Sequence, residues 1–301
     1  MEHAASSPVS RPDDTPAAAA PAACPVCGCA SLALRAEVET NRRYAIVRCT
    51  RCLFVFAEPR PTEQELEAFY SSTYFVRDRP TSLGYADYRT IAEANARRMW
   101  RQLRSEVAGT EPRRLLDVGC ATGGFLAEAR ADGWESVGVE LSADAVAVAR
   151  SEFGLDVIHG DLSSPLLEPT SFGLVTMWHV LEHVVDPLAS LERARELLAH
   201  RGRLLIELPN WNSLGRVLRR SAWSQLKPPE HINFFTPRSL RAAVEKAGMA
   251  VVESRTAYPS LLDRAAVLRR TRPLHLAVAV AGRAAGAAGR GGYLRLVAER
   301  I

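Results

Sequence analysis

Three acidic residues, each following a short apolar run, have the spacing to hold a nucleoside that carries a zwitterionic amino-acid tail. Asp117 opens Asp117-Val-Gly119-Cys-Ala121-Thr-Gly123, whose glycines let the backbone turn tightly and approach a ligand with no Cβ in the way. The helix expected after this turn offers free N–H groups to a carboxylate, while Asp117 at the strand end receives a cationic amine. Glu140, 21 positions after Gly119, closes Val137-Gly138-Val139-Glu140, where a carboxylate can accept both ribose hydroxyls. Asp161, in Gly160-Asp161-Leu162, is placed to accept from an adenine amino group, with Leu162 offering an apolar face to the ring. A nicotinamide dinucleotide would also use Glu140. Yet Gly119-x-x-x-Gly123-Gly124 is not GxGxxG, and Asp117 would repel a pyrophosphate.

A second constellation is sulfur. Cys24-Pro-Val-Cys27-Gly28 and Cys49-Thr-Arg-Cys52 are two CxxC pairs separated by 21 residues. Four thiolates at tetrahedral positions form a closed structural zinc site, which leaves no open position for substrate and gives the metal a folding role. Cys29 is a spare thiol able to compete as a ligand, although Cys24 and Cys27 have the better spacing. The alternative is a redox dithiol or chance clustering.

Histidines supply the remaining chemistry. His231 follows Glu230 in Lys227-Pro-Pro-Glu230-His231-Ile-Asn-Phe-Phe235, a loop after the fifth expected strand. A histidine takes a proton near neutral pH, and a neighbouring carboxylate can orient it, so Glu230 and His231 are a candidate general base. The alternative is a histidine that only ties its imidazole to the backbone. His179 and His183 stand four apart at the start of a helix after the fourth strand, with no third metal ligand evident in the sequence. Such histidines more often pack or cap, and His179 is read as lining the cofactor pocket.

The elements that must position these residues are an alternation of short apolar strands and helices from Arg113 onward, which implies a doubly wound parallel α/β sheet. Strands are expected at Arg114–Val118, Ser136–Glu140, Asp156–His159, Leu174–Trp178, Arg203–Leu208 and Ala250–Ser254, with a last one at Tyr293–Glu299. Helices are expected at Gly124–Ala131, Ala143–Phe153, Pro187–Ala199 and Pro237–Ala247. Upstream, residues 1–22 read as a disordered tail and 23–58 as a zinc-ribbon module whose alternating Leu32–Glu39 and Arg43–Arg48 form a hairpin. Residues 59–112 read as a helical linker and lid region, including a capping box at Thr62-Glu-Gln-Glu65 and the loop tyrosines Tyr70 and Tyr74. Residues 113–301 form the cofactor-binding domain, with one or two Ala/Arg-rich helices between Pro259 and Gly292.

Residues 113–258 resemble the class I S-adenosylmethionine-dependent methyltransferases. Asp117 to Gly123 matches that family's glycine-rich motif, Glu140 its acidic ribose position and Gly160-Asp161-Leu162 its adenine position. Gly173 stands where many members carry aspartate. The resemblance implies S-adenosylmethionine as cofactor and a seven-stranded, Rossmann-like sheet whose last strand is antiparallel. Together with the cysteine module, Glu230-His231 resembles the pair that carries the base in nucleotide-sugar C-methyltransferases. That implies a small-molecule or sugar-type acceptor methylated at carbon or oxygen. Lys227, Pro228 and Pro229 replace the tyrosine those enzymes tend to have before the pair.

Composition bears on the other classes. All but two of the 38 basic residues are arginine, scattered along the chain, and the net charge is only +4. A nucleic-acid surface should cluster its cations. An RNA methyltransferase whose zinc module grips nucleic acid is the alternative function, but the module carries few aromatics for stacking beyond Tyr44, Phe54 and Phe56. No apolar run approaches the roughly 20 residues of a membrane span, and charges interrupt the N-terminal stretch, so a cytoplasmic protein is expected. The sequence leaves oligomeric state open.

Overall fold

A computed structural model describes residues 23–40, 42–62, 64–66, 95–257 and 284–301 of the chain. The N-terminal tail, Tyr70, Tyr74 and the loop around them, and most of the Ala/Arg-rich segment lie outside the described residues. Strands β1 (Leu32–Glu39), β2 (Arg43–Cys49) and β3 (Val55–Glu58) form an antiparallel meander. The capping box is formed, with Glu65 N–H donating to Thr62 Oγ1 at 3.1 Å and Thr62 N–H donating to Glu65 Oε2 at 2.7 Å.

The alternation expected from Arg113 onward is present. It runs β4 (Arg114–Val118), α1 (Gly124–Ala131), β5 (Glu135–Glu140), α2 (Ala143–Phe153), β6 (Asp156–His159), β7 (Phe172–Trp178), α3 (Pro187–Leu197) and β8 (Leu198–Pro209). It continues through α4 (Leu214–Arg219), β9 (Asn233–Phe234), α5 (Pro237–Lys246), β10 (Met249–Ala257) and β11 (Tyr293–Arg300). Local chemistry sets the boundaries. The Ser142 hydroxyl caps α2, and left-handed Gly154 ends it. Thr236 and Ser239 close a reciprocal cap on α5 behind Pro237, and Gly248 at φ 83° follows its end.

The seven-stranded sheet has the order β10-β11-β8-β7-β4-β5-β6. Strands β4 to β8 are parallel, and β11 runs antiparallel to both β8 and β10. The strand order reverses between β4 and β7, so a crevice opens beyond their carboxyl ends, where such sheets bind ligands. Helices α3 and α5 cover one face through Leu191, Ala194, Leu240, Ala243 and Val244. Helices α1 and α2, with helical residues 95–103, cover the other through Phe125, Leu126, Val146, Trp100 and Leu103.

Several boundaries differ from the pattern by a few residues, most of all β8, which begins at Leu198 rather than Arg203. Helix α3 stops at Leu197 rather than Ala199, because Leu198 is already extended and paired with Phe172. A Cβ on Gly173 would lie 1.9 Å from the Pro112 carbonyl oxygen, so no side chain fits there. The cysteine module is also not a separate bead on the chain. Its sheet takes β9 as a fourth strand, in the order β1-β2-β3-β9, so residues just past His231 complete it. Among the described residues no helix is long and apolar enough to cross a membrane.

Candidate active site and cysteine cluster

Asp117 sits at the end of β4, buried, and accepts a 2.6 Å hydrogen bond from the Thr176 hydroxyl on neighbouring β7. Burial pushes its carboxyl up to about 7, against the Thr176 bond and with help from the nearby Glu140 charge. The turn that follows is built from left-handed residues, with Gly119 at φ 67°, Ala121 at φ 49° and Gly123 at φ 81°. Gly123 is the N-cap of α1 without a side-chain cap, so the first amides of that helix are left to a ligand.

Glu140 ends β5 and holds the turn from below. Its Oε2 accepts from Ala121 N–H at 3.0 Å and its Oε1 from Ser142 N–H at 2.8 Å. Burial raises its pKa, and these backbone donors oppose the rise. Asp161 caps its own turn, with Oδ1 accepting from Ser163 N–H at 2.8 Å and from the Ser163 hydroxyl at 2.6 Å. Leu162 beside it is buried, and Gly160 N–H donates to the Glu140 carbonyl at 2.9 Å. Asp117, Glu140 and Asp161 thus follow three parallel strands, at their carboxyl ends. A cleft of about 480 Å³ between Arg104, Thr110, Arg113 and Trp134 lies at the opposite, amino ends, away from this chemistry.

On the other flank, His179 and His183 lie in a turn rather than at a helix start, since α3 begins only after its cap Asp186. His179 is held at φ 56° by its N–H bond to the Glu207 carbonyl. Its Nδ1 is 3.2 Å from Glu182 Oε1, and its ring meets Tyr293 edge-on with centroids 5.3 Å apart. Val180 packs onto the cofactor turn.

The loop carrying His231 is bolted to this turn. Ile232 and Asn233 donate backbone N–H to the Glu182 carbonyl, and Asn233 Nδ2 donates to the carbonyls of Leu181 and Val184. Arg60, from just beyond β3, donates to Asn233 Oδ1 and to the carbonyls of Val184 and Val185. His231 is buried and donates Nδ1–H to the Gln225 carbonyl at 3.0 Å. Burial, with His183 and Lys227 nearby, holds its pKa well below 6.5. The Glu230 carboxylate does not orient the His231 ring through any bond seen here. It pairs with Lys227 at 2.5 Å, while the Glu230 carbonyl accepts from His183 Nδ1 at 2.7 Å. The imidazoles of His183 and His231 stand 4.7 Å apart, edge to face.

The four paired cysteines also converge. Cys24, Cys27, Cys49 and Cys52 bring their sulfurs within 4.8 Å of one another, with Cys24–Cys52 and Cys27–Cys49 both at 3.5 Å. The contact between the Cys24 and Cys52 sulfurs lowers the pKa of Cys24 and raises that of Cys52, as expected where two thiols share one proton. Cys29 stays outside the group, with its thiol directed to the Ser31 carbonyl.

Two features of the site were not readable in sequence. One is Glu182, and the other is the meeting of His183 with His231 across 48 residues. The spacing His179-x-x-Glu182-His183 was the available signal, but the partner comes from the tertiary fold.

A family profile described as a methyltransferase domain matches residues 92–254. An uncharacterized 37.1 kDa protein in transposon TN4556 of Streptomyces fradiae is 31% identical over 45% of this chain and 41% of its own length. A ubiquinone biosynthesis O-methyltransferase of Xanthomonas euvesicatoria pv. vesicatoria is 32% identical over 59% of this chain and 78% of that one. The chain thus spans less than half of the first relative and about three-quarters of the second. Among solved structures, the geranyl diphosphate C-methyltransferase of Streptomyces coelicolor A3(2), in complex with Mg2+, geranyl diphosphate and S-adenosyl-L-homocysteine, superposes with a TM-score of 0.56. The match covers 81% of this chain and 100% of that one at 16% identity, a likeness of fold. With the family profile spanning more than half of its length, the chain belongs to the class I S-adenosylmethionine-dependent methyltransferases.

Proposed function

We propose that this protein transfers the methyl group of S-adenosylmethionine to a small-molecule acceptor, at carbon or oxygen. The observation that carries this reading is the pair of carboxylates, buried Asp117 and half-buried Glu140, on either side of the left-handed turn 119–123. In this reading Asp117 receives the cofactor's amine and the amides of Gly119 to Gly123 receive its carboxylate. Glu140 accepts the ribose hydroxyls with the lone pairs its backbone donors leave over. Asp161 and Leu162 hold the adenine, and His179 lines the pocket wall. Of the proteins named above, one is a ubiquinone biosynthesis O-methyltransferase and one, alike in fold, is a geranyl diphosphate C-methyltransferase. A sugar-type acceptor such as a nucleotide sugar follows from the resemblance of the Glu230-His231 loop.

Acceptor activation is assigned to His231. With Nδ1–H given to Gln225, its neutral ring carries the lone pair on Nε2. Glu230 serves by position, through its carbonyl on His183 and its carboxylate on Lys227.

The four cysteines fit a structural zinc ion. Zinc–sulfur bonds of about 2.3 Å in a tetrahedron put sulfurs about 3.8 Å apart, close to the 3.5 Å pairs found. The ion would stabilise the sheet that β9 completes, and so would fix the His231 loop from outside the reaction.

The experiment that tests the function is calorimetric titration with S-adenosylmethionine, followed by product mass measurement with candidate sugar nucleotides and small phenols. A mass gain of one methyl group with release of S-adenosylhomocysteine supports the reading. Absence of cofactor binding overturns it.

A further inference from the structure

We infer that Glu182, His183 and His231 form a binding site for one divalent cation, separate from the cysteine cluster, at which an acceptor hydroxyl is held and acidified. The role given to the ion rests on the methyltransferase reading, whereas its location does not. Each of the three residues offers one ligand atom, and these atoms lie within 4.8 Å of one another. His183 Nε2 is 3.9 Å from Glu182 Oε1.

The surroundings hold these side chains in the way metal ligands are held. Both imidazoles donate Nδ1–H to backbone carbonyls, His183 to Glu230 and His231 to Gln225, which makes Nε2 the acceptor nitrogen of each neutral ring. Metal-ligating histidines use their second nitrogen in this way, which fixes ring orientation and tautomer. Glu182 has a side chain only 2% exposed, and its Oε2 is buried with no hydrogen-bond partner among the described residues, while Oε1 takes Nδ1 of His179. A carboxylate oxygen taken out of water with no donor is costly, and a cation removes that cost. The two ligand segments are clamped by the Asn233 and Ile232 bonds to residues 181–184, so the trio is pre-assembled.

Two imidazoles and one carboxylate are a donor set suited to zinc, manganese or ferrous iron, and three protein ligands leave positions open for another oxygen. Val180, two residues before Glu182, lies against Gly119 of the cofactor turn, so the turn that carries two of the ligands adjoins the turn assigned to the cofactor. A hydroxyl bound to the ion loses its proton to water more readily. Its oxygen lone pair then forms the new O–C bond as the methyl–sulfur bond breaks, and that electron pair stays on S-adenosylhomocysteine. In this arrangement the Nε2 lone pair of His231, assigned above to acceptor activation, acts by holding the ion that acidifies the hydroxyl.

The test is titration of the full chain with Mn2+, which thiolates bind poorly, followed by electron paramagnetic resonance. One Mn2+ per wild-type chain is expected. In His183→Ala and Glu182→Gln the affinity should fall by at least about tenfold, with S-adenosylmethionine affinity and circular dichroism unchanged. Should those variants misfold, histidine NMR of the wild type decides: Mn2+ must broaden the His183 and His231 signals first. Unbroadened signals, or equal Mn2+ affinity in the folded variants, overturns the site. S-adenosylmethionine binding that persists without any Mn2+ binding removes the cation alone and leaves the methyltransferase reading standing.

Discussion

Val180 lies directly over Gly119, so that a Cβ on residue 119 would come within 2.8 Å of Val180 Cγ2. This contact joins the cofactor turn to the turn carrying Glu182 and His183. Gly119→Ala should therefore weaken S-adenosylmethionine binding about tenfold, since a left-handed alanine costs about 1–2 kcal/mol before the clash is counted. Adding Val180→Ala should recover the steric part and not the conformational part. Calorimetry on the two variants separates them.

Asp117 makes the protein's response to pH run in two opposite directions. Burial raises its folded pKa to about 7 from the ordinary 3.8, so its contribution to stability is fully present below 3.8 and lost as pH rises through about 7. A cationic amine needs the carboxylate form, so cofactor affinity should rise with pH up to about 7 and then level off, changing about tenfold per unit below it. Melting of the unliganded protein and calorimetry between pH 5 and 8 should show these opposed trends. Asp117→Asn should flatten both.

The Lys227 contact separates the two members of the Glu230-His231 pair. Because the Glu230 carboxylate meets Lys227 and not the ring, Glu230→Gln should lower turnover only a few-fold. His231→Ala should lower it by about 10²–10⁴, as for other acid–base groups, with S-adenosylmethionine affinity intact. Steady-state kinetics on both variants checks the contrast, and equal losses would contradict it.

The cysteine cluster should bring one zinc per chain, measured by elemental analysis. Cys52→Ser should lose the metal and lower the melting temperature, because the sheet that carries β9 depends on it. Cys29→Ser should keep both, as that thiol lies outside the cluster.

Much of this architecture was legible because local signals agreed with the global fold. The apolar runs ending at Asp117, Glu140 and His159 became β4, β5 and β6, with only Glu135 added at one end. Thr62 and Thr236 announce helices by hydroxyls placed to cap them, and both caps are formed. What stayed hidden is non-local. Glu182 carries no signal of its own in the sequence, and only the fold buries it beside His179 and His183. The joining of β9 to β3 pairs Val55 with Phe234 across 179 positions, and two residues of strand leave no periodicity to read. Glu230 was adjacent to His231 in sequence, but the turn sends its carboxylate to Lys227.

The most direct measurement is calorimetric titration of S-adenosylmethionine into the wild type and Glu140→Ala. The carboxylate of Glu140 both supports the turn through Ala121 and is assigned to the ribose. Saturable one-site binding in the wild type, weakened at least about tenfold in the variant by loss of charged hydrogen bonds, is the predicted result. Wild-type affinity in Glu140→Ala would contradict the assignment of this pocket.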